Sequence, residues 1–106
     1  MFSVIYTFTV KPGKENDFVA GWSGLTKMIY QFEGSFGSKV HKDQNGGYVA
    51  YAQWPSREAW KNAGRNLPKE ETDKFRAQMK DSCTAMETLF ELDLVMDLTK
   101  DVLFGD

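Results

Sequence analysis

The chain has 106 residues, 42% of them hydrophobic, and its 13 basic and 15 acidic side chains leave a formal charge of −2. That length supports one domain with a modest core, and the charge balance excludes the strongly basic surface that holds nucleic acids or anionic membranes. Eight Phe, four Tyr and three Trp could wall a cavity for a flat apolar ligand. The lone cysteine, Cys83, excludes an internal disulfide, and no Cys/His cluster has metal-ligand spacing.

A soluble, cytoplasmic protein is therefore expected. The N-terminal stretch "MFSVIYTFTV" lacks a basic leader and is too short to span a bilayer. It reads instead as a first strand, with Phe2, Val4, Tyr6, Phe8 and Val10 on one face and Ser3, Ile5, Thr7 and Thr9 on the other. Pro12 and Gly13 break it. From about Lys14 the period becomes helical, with Phe18, Trp22, Leu25, Ile29 and Phe32 forming one apolar stripe over roughly five turns, stopped at Gly34.

The segments "SFGSKVHKD" and "GYVAYAQW" flank "QNGG", an Asn-Gly signal for a hairpin closed by a two-residue type I′ turn. That register pairs odd positions of the second strand with even positions of the third, so His41 is expected to share a face with Ala50, Ala52 and Trp54. Pro55 ends the third strand and Ser56 caps a short helix, "REAWKNAG", which Gly64 stops. A charged amphipathic helix follows from about Lys69 to Ser82, with Phe75 and Met79 inward. The segment "METLFELDLVMDL" alternates again as a long fourth strand, Phe90, Leu92, Leu94, Met96 and Leu98 facing away from Glu91, Asp93, Val95 and Asp97. The tail "TKDVLFGD" is ambiguous.

This order predicts an α+β, ferredoxin-like β-α-β-β-α-β fold, an antiparallel sheet with helices on one face, in a single domain over residues 1–106. The sheet's other face is semi-polar. It is either solvated or packed on a second copy.

Two landmarks carry a resemblance over residues 2 to 98. "YTFTVKPGKENDFVAGW" resembles the opening of the antibiotic biosynthesis monooxygenase family, and "YAQWPSREAW" its strand-ending Trp-x-Ser corner and short helix. The resemblance implies a homodimer whose two sheets face each other as a dimeric α+β barrel. It also implies either oxygenase chemistry on phenols and quinols without cofactor or haem degradation. Haem-degrading members use an Asn on the first strand, a Trp on the short helix and a His on the next helix. Those places here hold Tyr6, Ala63 and a residue near Asp73, so that branch does not fit.

The oxygenase branch needs an apolar pocket and polar groups that help a phenol or its neighbouring carbon lose a proton. Its candidates are His41, Tyr6, Tyr51 and Arg76 as polar groups, with Trp22, Phe36, Trp54 and Trp60 as walls. His41 and Tyr6 are the expected catalytic pair, with a small aromatic substrate, no cofactor and no metal. Each has a plainer alternative: His41 on a solvated strand, Tyr6 and the tryptophans as core, Arg76 on a solvated helix face. A small aromatic-ligand-binding module and a purely structural dimerisation domain stand beside the monooxygenase as readings of the same fold.

Overall fold

The computed structural model describes residues 1–99. Its elements are β1 (Phe2–Val10), α1 (Glu15–Glu33), β2 (Gly37–Lys42), β3 (Tyr48–Trp54), α2 (Arg57–Lys61), α3 (Lys69–Asp81) and β4 (Cys83–Asp93). The strands form one antiparallel sheet in the order β2-β3-β1-β4, with the N-terminal strand at its centre. This is the ferredoxin-like order. The sheet is open, with β2 and β4 as its edges.

The even positions of β1 face the helices, as the alternation requires. Phe2, Val4 and Phe8 are buried there, beside Ala50, Ala52 and Trp54 of β3 and Phe18 and Leu25 of α1. Gly34, at φ +74°, ends α1 in the left-handed conformation that glycine adopts without steric cost. Ser56 caps α2, its Oγ accepting the Ala59 N–H at 3.1 Å. Phe32 departs from the α1 stripe and is 38% exposed.

Helices α1 and α3 cross closely at Gly21. A Cβ there would lie 2.7 Å from the Met79 backbone nitrogen and 3.0 Å from the Phe75 carbonyl oxygen. At Gly24 the Phe75 side chain occupies the space a Cβ would need, 2.3 Å away. The contact brings Met79 down onto the core that Phe8, Phe18, Leu25 and Ala50 build.

Two expectations are corrected. The hairpin between β2 and β3 is not a two-residue type I′ turn. Asp43 and Gly47 face each other, the Asp43 N–H donating to the Gly47 carbonyl at 2.8 Å, and three residues close the loop. Gly46 alone carries positive φ, at +83°, while Asn45 does not. The Asp43 carboxylate holds the turn by accepting the Asn45 and Gly47 N–H groups at 2.8 and 2.9 Å. The extra loop residue shifts the register so that His41 lies opposite Val49 and Lys39 opposite Tyr51. His41 therefore shares the outer sheet face with Val49 and Tyr51, not the inner face with the alanines and Trp54.

Strand β4 also departs from simple alternation. It begins at Cys83 and ends at Asp93, and its pairing with β1 slips between Ile5 and Tyr6. Tyr6 faces Thr88 and Ile5 faces Phe90, so Leu89 is the inserted residue of a bulge. Beyond it the faces exchange. Glu91 and Asp93 fall opposite Val4 and Phe2 on the helix side, where both carboxylates meet the Arg57 guanidinium. Phe90 and Leu92 turn to the outer face, 57% and 42% exposed. Of the ambiguous tail, residues 100–106 lie outside the described residues, as does that part of the single-domain expectation.

Candidate functional site

A cavity of about 280 Å³ opens between the inner sheet face and α1. Its floor is Tyr6 and Phe8 of β1 with Ala50, Ala52 and Trp54 of β3, and its roof is Trp22, Leu25 and Ile29 of α1. The two alanines leave the space, since larger residues in the central strands would fill it. Met86, Glu87 and Thr88 border the β4 side, and Thr26 and Ser38 the β2 side. The volume lies near the lower end of the range for small-molecule sites, about 300–1,000 Å³, and suits a ligand of one to three fused rings.

Tyr6 is the best-placed polar group. Its oxygen accepts the indole N–H of Trp60 at 2.8 Å, which leaves its own hydrogen to donate. Burial pushes the phenol pKa up, the Trp60 hydrogen bond pulls the other way, and the Glu91 charge raises it further. Tyr6 is thus neutral at ordinary pH and acts as a hydrogen-bond donor, not as a base. Trp60 is held in turn by α2 and by its ring contact with Phe2, 5.6 Å between centroids. Arg57 covers the other part of this corner, its guanidinium 4.6 Å from the Phe2 ring.

Trp54 forms another part of the cavity lining. Its ring borders the cavity, only 4% of the residue is exposed, and its buried Nε1 has no hydrogen-bond partner among the described residues. An unpaired buried N–H costs about 1–3 kcal/mol, and native cores rarely retain one without a reason.

Three of the residues expected from sequence, Tyr6, Trp22 and Trp54, border this cavity, and Trp60 reaches it through the Tyr6 hydroxyl. The others lie elsewhere. His41 is exposed on the edge strand's outer face. Tyr51 is on the outer face too, its hydroxyl accepting from Ser3 Oγ at 3.2 Å and Gln53 Nε2 at 3.3 Å. Phe36 is 52% exposed before β2, and Arg76 sits 3.9 Å from Asp73 along α3. Sequence reasoning did not single out Thr26, Ser38 and Thr88. The inward parity of Ser38 was available once the hairpin register was right, and Thr88 has the even parity that alternation already turns inward before the bulge.

The profile of the antibiotic biosynthesis monooxygenase family matches residues 1–78, so the chain belongs to that family. Its structural relatives agree on the fold. SnoaB, a cofactor-independent oxygenase from Streptomyces nogalater, is 14% identical over 93% of this chain and 97% of its own, with a TM-score of 0.71. Candidate antibiotic biosynthesis monooxygenases from Caulobacter crescentus and Bordetella bronchiseptica are 21% and 17% identical, each with a TM-score of 0.72. They cover 90% of this chain, and 90% and 97% of their own. No curated protein matches the sequence. Among the described residues, no helix is long and apolar enough to cross a membrane.

Proposed function

We propose that this protein is a cofactor-independent monooxygenase of a small aromatic or quinol-type substrate. The observation that carries the reading is the aromatic-walled cavity bordered by Tyr6, whose O–H has no acceptor among the described residues. A phenol that loses a proton in such a place develops negative charge on its oxygen. Donors already fixed in position stabilise that charge without reorganising, and the apolar walls exclude water that would compete.

The electron-rich anion passes one electron to dioxygen, and the resulting radical pair combines at the ring carbon. Protonation gives a hydroperoxide, which loses water to leave a carbonyl. A ring CH₂ thereby becomes C=O, with one oxygen atom in the product and the other in water. In this scheme Tyr6 stabilises the anion, Trp60 holds the Tyr6 hydroxyl, and Trp22 and Trp54 pack on the ring. The family's SnoaB supports the class of chemistry, being a cofactor-independent oxygenase. His41 has no place in the scheme because it lies on the other sheet face.

Oxygen uptake with a panel of anthrone-type phenols and quinols tests the proposal. Wild type should consume oxygen above buffer, and Tyr6→Phe should slow turnover by about a hundred-fold, as loss of one preorganised donor does. No uptake across the panel would count against it.

One observation favours a second reading. Among the described residues, Glu87 is the sole carboxyl group lining the cavity and no basic residue stands beside it, so they supply no acid–base pair. A module that holds a small aromatic molecule without turnover would yield bound ligand by mass spectrometry and no oxygen uptake.

The same proposal includes a homodimer. Ile5 lies between Phe90 and Tyr51 across the outer sheet face, and Leu92 continues the apolar surface. A second copy of this face would cover it.

A further inference from the structure

A second void lies beside the cavity, on its β2 side. Between α1 and the edge strand β2 lies an open groove of about 620 Å³, lined by Thr26, Lys27, Tyr30, Gln31, Gly37 and Ser38. Thr26 and Ser38 also border the inner cavity, so the two voids share a wall made of two small hydroxyl side chains. Tyr30 is 61% exposed, an unusually open position for a large ring. Opposite it stands Gly37, at φ +101°, where an added Cβ would lie 3.8 Å from the Tyr30 ring. A longer side chain at Gly37 would occupy the groove, and glycine leaves it open.

Lys27 is the charged member of this lining, and it makes no ion pair among the described residues. Among the described residues, no cation lines the inner cavity, and Glu87 borders it on the β4 side. The polarity of the two voids therefore differs, apolar and cation-free inside, polar with one free ammonium outside.

We infer that the two voids form one bipartite site, which takes an elongated ligand with a neutral aromatic head and a carboxylate-bearing tail. The head occupies the cavity against Trp22 and Trp54. The tail passes between Thr26 and Ser38, lies along Tyr30, and ends near Lys27 with Gln31 as a neutral hydrogen-bonding neighbour. This rests on the cavity being the ligand site, and it adds the substrate's shape and the place of its charge. A carboxylate on the head itself would have no cation to meet.

Three probes test the inference by quenching of tryptophan fluorescence at low ionic strength: 1-naphthol, a naphthol carrying a flexible chain that ends in a carboxylate, and the same compound ending in a primary amide. The naphthol should bind, and both tailed compounds should bind at least as well. The acid should bind about three- to five-fold more tightly than the amide, the size of a solvent-exposed ion pair, and added salt should erase that preference. Lys27→Gln, a change at an exposed position, should abolish the preference and leave naphthol affinity unchanged. Equal binding of acid and amide by wild type, a preference that survives Lys27→Gln, or tailed compounds that bind much more weakly than naphthol would each overturn the bipartite site. A wild type that binds none of the three would overturn the cavity reading as well.

Discussion

Tyr6 shows how one residue acquires a role from its neighbours. Its position on the apolar face of β1 follows from alternation, but its chemistry comes from Trp60, fifty-four positions away in sequence and 2.8 Å away in space. Because burial raises its pKa, folding favours the protonated phenol. Below the unfolded value of about 10 both states hold the proton and the full contribution to stability is present. As pH rises above that value the unfolded chain ionises first, so this stability is lost progressively up to the folded pKa. Denaturant midpoints measured at roughly pH 9 and pH 11, either side of an ordinary phenol pKa, should fall for wild type. They should fall less for Tyr6→Phe, which has no proton to lose at this site. At neutral pH the same variant should be less stable by about 1 kcal/mol, having left the Trp60 N–H unpaired.

Among the secondary-structure elements, helix and strand identities were legible from period and capping residues, but two connections were not. The Asn-Gly pair signals a hairpin without stating loop length. The Asp43 carboxylate favours a three-residue closure by binding two N–H groups, and one extra residue moves His41 to the opposite face. The β4 bulge is equally hidden, because Leu89 is as good a strand residue as its neighbours. The α1–α3 crossing gives a test at this scale. Gly21→Ala gains about 1 kcal/mol of helix propensity, but its Cβ would meet α3 backbone that cannot rotate away. Overpacking of this kind costs about 1–3 kcal/mol. The net effect should be a lower thermal midpoint by circular dichroism, with helix content retained.

For the molecule as a whole, the open sheet divides two tasks between its faces. The inner face and α1 enclose the cavity, while the outer face presents Ile5, Tyr51, Phe90 and Leu92. Sequence alternation assigned Phe90 and Leu92 to the apolar side of an unbroken strand, and the bulge instead delivers them to the outer face. That makes the outer face more apolar than its semi-polar reading, and such exposed patches mark interaction surfaces. Sedimentation should therefore give twice the chain mass at micromolar concentration. Phe90→Lys, which places a charge in the centre of the apolar strip, should shift the protein toward monomer while its far-ultraviolet spectrum stays unchanged. A wild-type monomer would remove the dimer.

The sequence alone determined the element order, the inward faces of β1 and α1, the Ser56 cap and the family landmarks. All of these are set by local period, local stereochemistry or spacing along the chain. It also placed Tyr6, Trp22 and Trp54 on inward faces. Only the tertiary structure decided which polar groups meet the cavity and which side chains cover the outer face, because these depend on the length of one loop and on the Leu89 insertion in β4. The corner "YAQWPSREAW" illustrates the division. Its strand stop and helix cap are local, whereas the pairing of Trp60 with Tyr6 and the isolation of the Trp54 N–H arise only when distant segments pack.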